Sequence, residues 1–96
     1  MIRFEWDEKK NRQNRKKHGV WFEEGAQVFD DPAAILFFDP GHSAEEDRFI
    51  LLGASGSPER VLVLVFCERG KDPQVIRIIS ARKATRKERE RHEEGI

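Results

Sequence analysis

The chain has 96 residues, 38% hydrophobic and 38% charged, with seven Phe, two Trp and a formal net charge of zero. That is apolar material for one modest core and too little chain for two, so a single domain over residues 1–96 is expected, and a disordered or uniformly polycationic chain is excluded. Cys67 stands alone, ruling out a disulfide framework, and no apolar run nears the ~20 residues that span a bilayer, so a cytoplasmic protein without a membrane partner is expected.

Ile2, Phe4 and Trp6 alternate with Arg3 and Glu5, the period of a half-buried strand. Asp7 then reads as an N-cap, and a helix runs to His18, where Gly19 suits the left-handed C-cap. This helix has no apolar residue between Glu8 and Lys17, so whatever it meets must accept hydrogen bonds. Lys10, Asn14 and Lys17, spaced i, i+4 and i+7, share one face. Phe22, Ala26 and Phe29 form the inward stripe of a second helix over 22–29, stopped by Asp30, Asp31 and Pro32.

Strands follow at Ala34–Phe38, Arg48–Ala54, Val61–Phe66 and Val75–Ala81, separated by the turn signals Asp39-Pro40-Gly41, Ser55-Gly56-Ser57-Pro58 and Gly70–Pro73. Short turns pair successive strands antiparallel. Thr85 stands three residues before Glu88, a capping box opening a charged C-terminal helix. The expected fold is α+β: N-terminal helices, a four-stranded mainly antiparallel sheet and a C-terminal helix.

Charge is segregated along the chain. Lys9 to Lys17 holds six basic residues and no acidic ones; Gly19 to Asp47 holds eight acidic residues and no Lys or Arg; Arg82 to Arg91 holds six basic residues against Glu88 and Glu90. Basic ends and an acidic middle imply two surfaces, one for a polyanion and one for a protein.

Among chemistries, His18, His42, His92 and Cys67 lack paired metal-ligand spacing, there is no Gly-rich phosphate loop, and no strained turn marks a nucleophilic Ser. Neither a metal nor a cofactor is expected. Guanidinium, ammonium, imidazole and carboxylate groups on a small sheet remain. Cleaving RNA through its own 2′-hydroxyl needs a base, an acid and cations around the phosphorane-like transition state, and Arg suits the last task because its planar fork stays charged. Arg69 and Arg77 are expected on adjacent strands, with Arg82 following. Structural readings stand beside these: Thr85 and Glu88 as a cap, Arg77 paired with Glu68 or Glu5, Arg86 with Glu90 at i, i+4, and Trp6 and Trp21 as core or lid packing.

Several blocks resemble the BrnT family of type II toxins: Phe4-Glu5-Trp6-Asp7, Lys17-His18-Gly19-Val20, Glu46 with Arg48, Glu68-Arg69, and above all Arg77-Ile78-Ile79-Ser80-Ala81-Arg82 followed by Ala84-Thr85 and Glu88-Arg89. The resemblance covers nearly the whole chain. It implies a RelE-like fold and a metal-independent ribonuclease that arrests translation. It also implies neutralisation by a BrnA-like antitoxin with a ribbon-helix-helix end, through whose complex alone operator DNA is bound. The family commonly carries Tyr where this chain has His92. On this reading Arg48, Arg69, Arg77, Arg82 and His92 are the candidate catalytic residues, and Lys10, Lys17, His18, Arg86 and Arg89 the candidate RNA-binding residues. The alternative is a non-catalytic RNA- or protein-binding domain.

Overall fold

The computed structural model describes residues 2–39, 47–68 and 74–95. In chain order these form β1 (Arg3–Glu5), α1 (Glu8–His18), α2 (Phe22–Ala26) running into a 3-10 turn (Gln27–Asp30), β2 (Ile35–Phe38), β3 (Arg48–Ser55), β4 (Ser57–Glu68), β5 (Val75–Lys83) and α3 (Arg86–Glu94). The strands lie in one sheet of order β1-β5-β4-β3-β2. All neighbouring pairs are antiparallel except β1, which pairs parallel to β5 in the register Arg3↔Val75 to Glu5↔Arg77. The four-stranded expectation is thus one strand short. The segment whose alternation marks it as a strand joins the sheet beside the last strand, so β5 is interior. The expected turns at Asp39-Pro40-Gly41 and Gly70–Pro73 lie outside the described residues, apart from Asp39.

Helix boundaries follow local chemistry. Asp7 caps α1, its Oδ1 accepting from the backbone N–H groups of Lys9 and Lys10 at 2.8 and 3.2 Å, and Gly19 closes the helix at φ 72°. The capping box of α3 is present in full: Glu88 N–H donates to Thr85 Oγ1, and Thr85 N–H donates to Glu88 Oε1. α2 is shorter than the expected 22–29, its last turn tightening into the 3-10 segment.

One sheet face carries the main core. Leu62, Leu64 and Phe66 of β4, Leu51 of β3, and Ile76, Ile78 and Ala81 of β5 pack against Val20, Phe22 and Val28. Full burial of such a side chain stabilises by roughly 1.5–3 kcal/mol. α2 sits directly on this face: a Cβ added at Gly25 would lie 2.9 Å from Leu64 Cδ1 and 3.1 Å from Ala81 Cβ. Trp6 joins this core, but Trp21 does not. Standing at the N-cap of α2 it is 44% exposed, with the Arg15 guanidinium 5.7 Å from its ring centroid.

The opposite face holds a smaller apolar cluster of Leu52, Val61 and Val63 with Ile35, Phe37 and Ile50. α3 lies over part of it without burying any residue of its own, the Arg91 guanidinium 4.8 Å above the Phe37 ring. Among the described residues no helix is long and apolar enough to cross a membrane.

Candidate functional site

Alternation along a strand sends neighbouring side chains to opposite faces, so Arg77 and Arg82, an odd number of residues apart, would face opposite ways on a regular strand. They do not. On β4, Val65 pairs with Ser80 but Phe66 pairs with Ile78, leaving Ile79 as an extra residue in β5. This bulge restores the phase: Arg77 opposite Cys67 and Arg82 opposite Val63 both project on the face away from α2. Arg48 also pairs with Cys67, from the other side. A row therefore runs across four strands, Arg48, Cys67, Arg77 and Glu5, with Arg48 and Arg77 about 10 Å apart at the backbone, two strand spacings.

α1 walls this face along β5. Where β1 ends, the edge of β5 is taken over by Asn14, whose Nδ2 donates to the carbonyls of Ala81 (2.7 Å) and Val20 (2.8 Å) and whose Oδ1 accepts from Ala81 N–H (3.2 Å). Asn11 Oδ1 accepts from Phe22 N–H at 2.7 Å and its Nδ2 donates to Glu23. These amides, not an apolar stripe, dock the helix, and both are buried. They also fix its rotation. With Asn14 aimed at the sheet edge, Asn11 lies about 60° towards α2, and Lys10 and Lys17 lie about 40–60° the other way, towards the arginine face. Lys10 and Lys17 are exposed. Asp7, at the same end of α1, has its carboxyl held below its ordinary value by the Lys10 backbone N–H first, then by that of Lys9 and by the charges of Lys10 and Arg77. His18 falls on the Asn11 side of Asn14.

Arg77 meets Glu5 at 3.6 Å, one of the two partners anticipated, with both side chains partly exposed, so the guanidinium remains accessible. Arg82 is held differently. Its two terminal nitrogens donate to both oxygens of Glu88 at 2.8 and 2.9 Å, and these bonds pull the Glu88 carboxyl down to about 2. The Arg82 fork thus ties the end of β5 to the first turn of α3.

The structure does not gather the remaining candidates around this row. His92 Nε2 lies 2.8 Å from Asp31 Oδ2, both side chains only 11% exposed. Burial works to raise the Asp31 pKa, but hydrogen bonds from the Ala54 and Ala33 N–H groups, with His92, hold it below its ordinary value. Ala54 is six residues along β3 from Arg48, about 20 Å, so His92 sits at the far end of the sheet. Arg86 pairs with Glu90 at 3.4 Å in a solvent-exposed contact worth a few tenths of a kcal/mol. Arg89 lines a pocket with Arg60, Val61 and Lys83 beside the β3–β4 hairpin, where the Arg60 guanidinium is held by Glu24. Arg69 lies outside the described residues, as does Glu46.

Asn11 and Asp31 were not legible as structural anchors. Two amides three residues apart in a helix without apolar residues are a signal for the first; the second needs a contact across 61 positions. Among the described residues no group of three or more His, Cys, Asp or Glu side chains is arranged to hold a metal ion.

A family model described as "Ribonuclease toxin, BrnT, of type II toxin-antitoxin system" matches residues 6–88. In structure the chain is similar to the Brucella abortus ribonuclease toxin BrnT, solved by crystallography at 1.1 Å resolution, with a TM-score of 0.66 and 23% identity over 90% of this chain and all of that one. A search of curated protein sequences found no match.

Proposed function

The chain belongs to the BrnT family of ribonuclease toxins of type II toxin-antitoxin systems, and on that premise we propose that it cleaves RNA on the face carrying Arg48, Arg77, Lys10 and Lys17. The observation that carries this reading is the pairing of both Arg48 and Arg77 with Cys67, which puts them on one face, while the bulge at Ile79 keeps Arg82 in phase with both. The reaction we assign needs no metal. The 2′-hydroxyl attacks the adjacent phosphorus, the bond to the 5′-oxygen breaks, and a 2′,3′-cyclic phosphate and a free 5′-hydroxyl result. Arg48 and Arg77 neutralise the phosphorane-like transition state, and Lys10 and Lys17 hold flanking phosphates. Glu5, in the same row, is placed to accept the 2′-hydroxyl proton, while the Lys10 ammonium is the group available to the leaving oxygen. Arg82 acts through Glu88, fixing α3 against the end of β5.

The wider system follows from the same premise: a RelE-like fold, a cytoplasmic setting, translational arrest by loss of RNA, and neutralisation by a BrnA-like ribbon-helix-helix antitoxin whose complex with the toxin binds operator DNA. Purified protein is expected to cut single-stranded RNA in excess EDTA, with Arg77→Ala slowing the reaction about a hundredfold or more while the fold persists. His92→Ala, distant from the row, is expected to keep most of the activity. Cleavage abolished by EDTA, or undiminished in Arg77→Ala, overturns this mechanism. RNA that is bound in a steeply salt-dependent way but left intact identifies a binding module instead.

A further inference from the structure

β2 is the outermost strand on its side of the sheet, and its register decides what it shows. Asp39 N–H donates to the Arg48 carbonyl at 2.9 Å, so Asp39, Phe37 and Ile35 are the positions hydrogen-bonded to β3. The N–H and C=O groups of Leu36 and Phe38 therefore point outward, and among the described residues nothing bonds to them. Their side chains are equally open, Leu36 57% and Phe38 52% exposed. Edge strands are ordinarily blunted by charge or proline, because bare backbone groups recruit foreign strands; this one offers Leu and Phe. Its ends are acidic. Asp30 precedes it and Asp47 lies beside its far end, both exposed and without an ion pair among the described residues, within a stretch from Gly19 to Asp47 that has no Lys or Arg.

The geometry points to β2 as the docking edge for the antitoxin: an extended antitoxin segment adds as a sixth strand, pairing with the backbone of Leu36 and Phe38. Alternate apolar side chains of the segment cover Leu36 and Phe38, and Lys or Arg at its ends meets Asp30 and Asp47. This rests on the toxin-antitoxin reading and supplies the place and chemistry of the contact. The partner is basic and extended, the complement of the acidic middle, while the RNA keeps the opposite sheet face: Leu36 opposes Leu51 on the core side, and Arg48 and Arg77 project on the other.

The test uses the complex of this chain with the small protein encoded beside it. Hydrogen exchange on the free and complexed chain is expected to show the Leu36 and Phe38 amides slowed at least tenfold in the complex. Leu36→Lys, which repels basic flanks, is expected to weaken the complex at least tenfold while cleavage of RNA is unchanged. Leu36→Pro, which deletes only an outward donor, is expected to do likewise, so a folding defect in one variant leaves the other to decide. Unchanged exchange at both amides, or full affinity in both variants, overturns the proposal. A wild-type dimer of this chain that Leu36→Lys dissociates overturns it in favour of a second copy as the occupant. A chain that neither arrests growth nor is rescued by its neighbour refutes the toxin reading itself, a failure distinct from arrest and rescue with an unprotected β2 edge.

Discussion

Deleting Ile79 is expected to leave the sheet and its faces intact. Within the paired stretch Ile76–Lys83, Ile79 lacks its own partner on β4; without it, Ile78 still faces Phe66, Ser80 faces Val65, Ala81 faces Leu64 and Arg82 faces Val63, now as a regular ladder. The loss is that of a half-buried Ile, about 1 kcal/mol, or half the stabilisation of full burial. Were the strand already regular, the same deletion would invert every later residue. Ala81, wholly buried against Val20 and Phe22, would leave the core and Arg82 would enter it, placing an uncompensated guanidinium there at a cost of several kcal/mol out of a total near 5–15. The two outcomes differ enough to be read from a urea unfolding curve. An NMR contact between the α-protons of Leu64 and Ala81, a pair not hydrogen-bonded to each other because Ala81 turns its N–H and C=O to Asn14, is present in both proteins and would report the register directly. Retained RNA cleavage completes the expectation, because Arg77 and Arg48 keep their common face. An unfolded deletion variant, or one in which Arg82 no longer opposes Val63, refutes the bulge as the device that builds this face.

The Glu88 carboxyl, held at about 2 against an ordinary 4.5, contributes stability that is complete above pH 4.5 and disappears as pH falls towards 2. The shift alone corresponds to at most ~3.4 kcal/mol, and solvent around the 40% and 31% exposed side chains reduces this to about 1–2 kcal/mol. Denaturation of wild type and Glu88→Gln from pH 5.5 to 2.5 should show their difference shrinking by most of that amount; parallel curves would remove the Arg82 to Glu88 contact from the stability of the fold. Asn14→Ala leaves the Ala81 N–H and the Ala81 and Val20 carbonyls without their buried partner, a loss of about 3 kcal/mol and a fall of roughly 15 °C in melting temperature for a domain of this size. A fall below about 5 °C would mean that water replaces the amide at no great cost and that Asn14 is dispensable.

What the sequence discloses about this fold is what depends on neighbours in the chain. Asp7, Gly19 and the Thr85 to Glu88 box set helix ends through contacts of a few residues, and each falls where its chemistry predicts. The alternation of Ile2, Phe4 and Trp6 identifies β1 as a strand, but its parallel place beside β5 depends on the Arg3↔Val75 pairing across most of the chain. Arg77 and Arg82 are prominent by type, yet their common face depends on an irregularity visible only against β4. His92 is the converse case. Its residue type invites a proton-transfer role, while its position is decided by Asp31, which in sequence reads only as part of a helix stop.

The polar character of α1 has a physical reason that links fold to function. A helix docked by an apolar stripe is oriented only by the fit of its side chains, because dispersion contacts carry no direction of their own. Asn11 and Asn14 replace that stripe with hydrogen bonds to fixed backbone groups of Phe22, Val20 and Ala81, and a buried amide left unsatisfied costs more than the bond gains. Rotation is therefore locked, and with it the direction of Lys10 and Lys17, one helical turn before and one after the Asn14 anchor. Ala81, which receives Asn14, lies just past the bulge that turns Arg77 and Arg82 to the same side. One short stretch of β5 thus sets the aim of the arginines on the strand and of the lysines on the helix, which is why Asn14→Ala should loosen the lysines' grip on RNA as well as the fold.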